Sequence, residues 1–201
     1  MEASFALRRH PTRFLYSDWA LRGFLNEPEI AFFHKDWGAG PIFDVGASVG
    51  KYTTILAKSS PRAVVYAFEP NLNSLYYLAH RAAGYPNIVV VPNALTIDGK
   101  AIKGTYEPDY NATPTGPSVA TMSLNDALLK FGVPTFIKMD IEGGEFEIFD
   151  GDVRPLQNST ILVSWHLPRS GMPVPTIPGW VNKMIAPDIS LLEPQKRASS
   201  G

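Results

Sequence analysis

A carboxylate and two glycines stand together in the stretch IFDVGASVGKYT, residues 42–53. The apolar run 42–45 has the composition of a buried strand, and Asp44 lies two residues before Gly46. A glycine turn between a strand and a helix presents backbone N–H groups to a polar or anionic ligand group. The spacing Gly46-x-x-x-Gly50, with Ser48 between them, departs from the dinucleotide fingerprint G-x-G-x-x-G, so the sequence disfavours a dehydrogenase.

A second acid follows the next apolar run. Glu69 lies 23 residues after Gly46, the distance at which such folds place an acid against ribose hydroxyls. Asp44 would repel a pyrophosphate but could attract a cationic ligand, and S-adenosylmethionine carries an ammonium and a sulfonium group without any phosphate. The two acids together indicate a site for this cofactor. Separately, each has a structural alternative, because Asp44 could cap helix 49–59 and Asn71 rather than Glu69 could cap helix 71–83.

Short β-branched runs alternate with helical patterns from residue 41 onward, which predicts an α/β fold with a mostly parallel sheet and helices on both faces. The predicted strands are 42–45, 63–68, 88–92, 135–140 and 160–166, and the predicted helices are 49–59, 71–83, 123–131 and 143–150. Segments 104–118 and 167–179 are rich in proline and glycine and are interpreted as loops.

The chain divides into an N-terminal helical cover segment, residues 1–40, and one folding unit, residues 41–201. The cover segment could be an extra layer on the sheet or a lid over the cofactor. The net charge of −1 does not favour a nucleic-acid partner, and the absence of cysteine excludes disulfides and thiolate chemistry. With neither a signal peptide nor a membrane segment in its pattern, the sequence predicts a cytoplasmic protein.

Four motifs resemble the FkbM-type class I methyltransferases: FDVGASVGKYT, YAFEPNLNSLYYL, VVPNALTIDG and FIKMDIEGGEFEIFDG. The resemblance covers about residues 41–166 and implies a Rossmann-like fold and S-adenosylmethionine-dependent O-methylation of a sugar or other small molecule. It implies that Asp44, Gly46, Ser48 and Gly50, with Ala47 in the same turn, line the methionine part of the cofactor. It places Glu69 on the ribose, and Asn93 and Ala94 near the adenine.

The chain departs from the family pattern at two positions and at its end. Ser48 replaces the usual asparagine, and Ser164 replaces the glutamate of a strand-five pattern E-x-H, which leaves His166 alone there. About 35 residues follow His166, where the fold usually adds a helix and a terminal hairpin, so we expect an abbreviated C-terminal end. A cofactor-binding protein without turnover and a nucleotide-using enzyme of the same fold are the alternatives to a methyltransferase.

Methyl transfer to oxygen requires a group that removes the proton of the acceptor hydroxyl. Asp140, Glu142 and His166 are the candidates, because each follows a predicted strand on the edge where open α/β sheets bind ligands. Structural alternatives remain for all three: Asp140 could pair with Lys138 or hold the cofactor, Glu142 could cap a helix, and a lone histidine is often structural. These residues could also bind Mg²⁺, but the sequence favours a site without metal.

Overall fold

The computed structural model of the protein describes residues 27–103, 118–166 and 173–195. Its strands are β1 Ile42–Val45, β2 Val65–Phe68, β3 Ile88–Val91, β4 Ala94–Thr96, β5 Ile102–Lys103, β6 Ser118–Val119, β7 Thr121–Ser123, β8 Phe136–Met139, β9 Thr160–Ser164, β10 Trp180–Ala186 and β11 Ile189–Pro194. Its helices are α1 Ile30–Phe33, α2 Lys51–Ser59, α3 Leu72–Ala82, α4 Leu124–Phe131 and α5 Glu145–Asp150, with a 3₁₀ helix at Arg154–Leu156.

Seven strands form one sheet in the order β10-β11-β9-β8-β1-β2-β3. β1 pairs in parallel with both β2 and β8, whereas β11 is antiparallel to β9 and β10. The chain winds outward from β1 in one direction through β2 and β3, and later in the other through β8 and β9. The switch point therefore lies between β1 and β8, and ligands of such sheets bind beyond the carboxyl ends of the strands there.

Apolar side chains on both faces of the sheet pack under helices. On one face Ile42, Val65 and Phe136 contact residues of α1 and α2, whereas on the other Phe43 and Ile137 pack with residues of α4 and α5. The strands are short and almost fully buried; β1 and β8 are buried at every position. This explains why their sequences are continuously apolar rather than alternating.

The five strands and four helices predicted from residue 41 onward are present, and none of their observed ends differs from the predicted end by more than two residues. Sequence analysis did not predict the hairpin of β10 and β11, which completes one side of the sheet. The hairpin that an abbreviated end would lack is thus present, and the described residues between β9 and β10, residues 173–179, contain no helix. Residues 1–26, most of the predicted loop 104–118, and the tail from 196 lie outside the described residues.

The described part of the cover segment, residues 27–40, forms a layer against α2 and the sheet. Phe33 is buried in the core under α2, and the ring of Trp37 stacks on Phe136 with centroids 4.1 Å apart. The backbone N–H of Trp37 donates to Ser60 Oγ at 2.9 Å, at the end of α2. Among the described residues no helix combines the length and the apolar character needed to span a membrane.

Candidate active site

The glycine turn after β1 lies directly against the end of β8. The N–H groups of Gly46 and Ala47 both donate to the Phe68 carbonyl at 3.0 Å, so the turn also closes over the end of β2. Gly46 has φ +78°, and a Cβ at this position would lie 1.8 Å from the Asp140 carbonyl oxygen. Only glycine fits here, because the backbones of the turn and of Asp140 are almost in contact.

Glu69 holds the same turn from the neighbouring strand end. Its carboxylate accepts the Ser48 N–H at 2.8 Å and the Asn71 N–H at 2.7 Å. Burial raises the pKa of Glu69, and these two hydrogen bonds oppose the shift. Each oxygen keeps a further acceptor position for a ligand hydroxyl. The helix cap is Asn71, whose side chain accepts the N–H groups of residues 73 and 74 in α3.

Asp44 lies beneath the turn and is fully buried. Its Oδ2 accepts a hydrogen bond from Thr53 Oγ1 at 2.5 Å, whereas Oδ1 lies 3.6 Å from Lys138 Nζ and has no hydrogen-bond partner among the described residues. Lys138 is only 5% exposed, and its ammonium donates to the Gly46 carbonyl at 2.8 Å. Asp44 thus supports the turn from the interior, and its contact with a cofactor stays a prediction.

Asn93 and Ala94 follow β3 on the same edge of the sheet. The Asn93 amide donates to the Thr121 carbonyl at 3.0 Å, and the Ala94 N–H donates to the Ala120 carbonyl at 2.8 Å. Both residues therefore anchor the small β4–β7 pair beside the sheet. No described contact joins them to the glycine turn, and their place near adenine also stays a prediction.

The three candidate acid–base residues come together beyond β8 and β9. His166 Nε2 lies 3.5 Å from Asp140 Oδ1 and 3.3 Å from Glu142 Oε2. Asp140 also pairs with Lys138, at 3.4 Å, so the pairing considered from sequence is present. Glu142 does not cap a helix; it adopts φ +57°, a left-handed conformation that is uncommon for glutamate and directs its carboxylate to the imidazole.

Sequence analysis did not select Glu145 or Lys138 as site residues, although both lie in the motif KMDIEGGE. Glu145 is fully buried, and its carboxylate contacts His166 Nδ1 at 2.9 Å. The hydrogen bond with Glu145 raises the pKa of His166, with smaller contributions from the charges of Glu142 and Asp140, while burial opposes the shift. Two signals could have found them: Lys138 is a charged residue inside an apolar strand, and Glu145 belongs to a cluster of acids that follows this strand.

A metal ion would find candidate ligand atoms in Asp140, Glu145 and His166, which offer one atom each within 4.8 Å of one another. The oxygens of Glu145 are less available to a metal ion than its position suggests. Its Oε1 accepts the Ile141 N–H and its Oε2 the Gly143 N–H, both at 2.8 Å, in addition to the contact with the imidazole.

The cover segment brings further acids to this edge. Glu27 accepts a short hydrogen bond from the Tyr52 hydroxyl and pairs with Lys51 at 3.2 Å. Burial and then the hydrogen bond to Glu27 raise the pKa of Tyr52. Burial raises the pKa of Glu29, and the negative charge of Asp140 adds to that shift. Glu29 of the cover segment therefore lies close enough to Asp140 for the two charges to interact.

Comparison with known proteins identifies the family. Residues 44–181 match the family described as the methyltransferase FkbM domain. A curated relative, the hexuronic acid methyltransferase AglP of Haloferax volcanii, is 26% identical over 132 residues. That alignment covers 61% of this chain and 54% of AglP, so the chain spans about half the length of this relative. The chain belongs to the FkbM methyltransferase family, as the motifs predicted.

Two solved structures share part of the chain course. A SAM-dependent methyltransferase from Aquifex aeolicus aligns with a TM-score of 0.43 and 17% identity, over 83% of this chain and 79% of the other. A precorrin-6Y C5,15-methyltransferase from Geobacter metallireducens aligns with a TM-score of 0.40 and 13% identity, over 63% and 54%.

Proposed function

We propose that the protein is an S-adenosylmethionine-dependent O-methyltransferase that modifies a hydroxyl of a sugar or other small molecule. The observation that carries this proposal is the placement of an imidazole between carboxylates beside a glycine turn, at the switch point of the sheet. The curated relative is named as a hexuronic acid methyltransferase, which supports a carbohydrate acceptor. Family membership supports the methyl transfer itself.

The residues of the turn fit the cofactor. Gly46 permits a close approach of the backbone. The backbone N–H groups of Ser48 and Asn71 hold the Glu69 carboxylate, which keeps acceptor positions for the ribose hydroxyls. Asp44 would act on the ammonium group through the field of its buried charge. S-adenosylmethionine supplies a methyl group activated by a positive sulfur.

The acid–base cluster then serves the acceptor. An alcohol must lose its proton as the oxygen attacks, and His166, Asp140 and Glu142 lie at the edge where that oxygen would sit. The imidazole is the proposed proton acceptor, because Glu145 at Nδ1 and the two carboxylates beside Nε2 stabilise the imidazolium that forms. Holding the two reactants in line supplies the remainder of the rate enhancement.

Calorimetry with S-adenosylhomocysteine tests the cofactor site. We expect micromolar binding, and Glu69→Ala should weaken it by about 1–3 kcal/mol, the range for a lost hydrogen bond in a buried site. Asn71→Ala is the control, because it removes the cap of α3 but leaves the Glu69 carboxylate. An analogue without the ribose hydroxyls should bind parent and Glu69→Ala equally well; if it still distinguishes them, Glu69 acts on the loop rather than on the ribose.

Transfer of a labelled methyl group to a panel of neutral and acidic sugars tests turnover. We expect a product with a methyl ether, identified by mass spectrometry and NMR, and the same yield with EDTA present. Cofactor binding without transfer to any acceptor would support the alternative of a binding protein without turnover. Methylation at nitrogen, or tighter binding of NAD than of S-adenosylmethionine, would contradict the proposal.

A further inference from the structure

Both oxygens of the buried Glu145 carboxylate accept hydrogen bonds from the backbone. Oε1 accepts the Ile141 N–H and Oε2 accepts the Gly143 N–H, each at 2.8 Å, and the side chain is 0% exposed. A carboxylate oxygen accepts hydrogen bonds and has no proton to donate. The contact of 2.9 Å with His166 Nδ1 therefore requires the imidazole to donate.

This requirement decides the tautomer of His166. A neutral imidazole carries one proton, so a proton held on Nδ1 leaves the lone pair on Nε2. Nε2 is the ring atom beside Asp140 and Glu142, at 3.5 Å and 3.3 Å. Lys138, at 3.4 Å from Asp140, is the adjacent cation, and the charge of Asp140 also acts on Glu29 of the cover segment.

We propose that Glu145 is a positioning residue for methyl transfer, which holds the proton of His166 on Nδ1 and thereby reserves Nε2 as the proton acceptor. The role rests on the proposed function. Position 164, two residues before the histidine, is a serine, and the carboxylate that contacts Nδ1 comes from α5. Glu145 does not reach the acceptor, because it is buried behind the imidazole.

The proton and electrons balance in one step. A lone pair of the acceptor oxygen forms the O–CH₃ bond, the C–S bonding pair returns to sulfur as a neutral thioether, and the hydroxyl proton moves to Nε2. The ring is then an imidazolium whose Nδ1 proton stays on the nitrogen and donates a hydrogen bond to Glu145. Asp140 and Glu142 stabilise the new proton on Nε2 until it is released to solvent.

Long-range ¹H–¹⁵N correlation spectra of histidine-labelled protein test the tautomer without any substrate. His166→Gln assigns the signals by their loss. Above the pKa of His166 we expect the Nδ1–H form; a predominant Nε2–H form, or an even mixture, would overturn the proposal. This outcome is separate from failure of the proposed function, which would appear as absent methyl transfer by the parent protein.

Glu145→Gln and Glu147→Gln form a matched pair, since both lie in α5 but Glu147 is exposed. An amide can donate to Nδ1, so Glu145→Gln should shift the ring toward Nε2–H and lower its pKa. Turnover should fall roughly 10²–10⁴-fold with cofactor affinity retained, the size of a general-base contribution. Glu147→Gln should change none of these quantities. Retention of both the Nδ1–H form and turnover in a folded Glu145→Gln protein would refute the positioning role.

Discussion

Gly46→Ala tests how closely the glycine turn packs against the end of β8. An alanine with φ near +78° costs about 1–2 kcal/mol relative to glycine. Its Cβ would also lie 1.8 Å from the Asp140 carbonyl oxygen, so the turn must move away, and overpacking of this kind costs about 1–3 kcal/mol. That movement would pull the Gly46 carbonyl from Lys138, and a lost hydrogen bond to a charged group costs about 1.5–3 kcal/mol.

Together these effects predict a loss of about 4–8 kcal/mol in the free energy of unfolding, comparable with the whole stability of many domains. Urea unfolding measures it, and Gly38→Ala is the matched control. Gly38 has φ +86°, but a Cβ there would meet nothing within 4 Å, so its substitution should cost only the conformational part. A Gly46→Ala protein within about 1 kcal/mol of Gly38→Ala would refute the close packing of the turn.

Two further predictions concern single side chains. Ser48 is exposed and adopts φ +50°. Because asparagine tolerates the left-handed region better than serine, Ser48→Asn should raise the free energy of unfolding by up to about 1 kcal/mol. Urea unfolding measures it, and a lower midpoint for the variant would contradict this. The folded pKa of His166 is raised above its unfolded value near 6.5, so its contribution to stability is fully present below about pH 6.5 and is lost as the pH rises through the folded pKa. The difference in unfolding free energy between the parent and His166→Gln should therefore shrink with rising pH, and a difference that grows would have the wrong sign.

The acids at the strand ends could be predicted because their positions follow from local patterns. A glycine pair after an apolar run marks the turn after β1, and the length of one helix and one strand fixes the distance to Glu69. The edge of the sheet then follows from the parallel arrangement, so Asp140 and His166 could be placed near each other without coordinates.

The roles of Lys138 and Glu145 could not be predicted from local patterns. Lys138 donates to a carbonyl 92 residues earlier in the chain, a contact that depends on β8 pairing with β1 in one register. Glu145 has the sequence environment of an acid in the first turn of a surface helix, and the pattern does not show its contacts with His166 and with the backbone of residues 141–143. The hairpin of β10 and β11 was missed for a different reason: the end of the chain was expected to be abbreviated, although Pro187 and Asp188 form a turn between two strands.

Lys138 connects the two halves of the site physically. Its ammonium lies 3.6 Å from Asp44 under the glycine turn and 3.4 Å from Asp140 beside the imidazole, and it donates to the Gly46 carbonyl between them. Removing one partner of a buried ion pair leaves an uncompensated charge, which is strongly destabilising. The glycine turn and the acid–base cluster therefore depend on one buried cation. The effects of substitutions in the glycine turn and in the acid–base cluster on the free energy of unfolding should consequently not add, because Lys138 contacts both parts of the site.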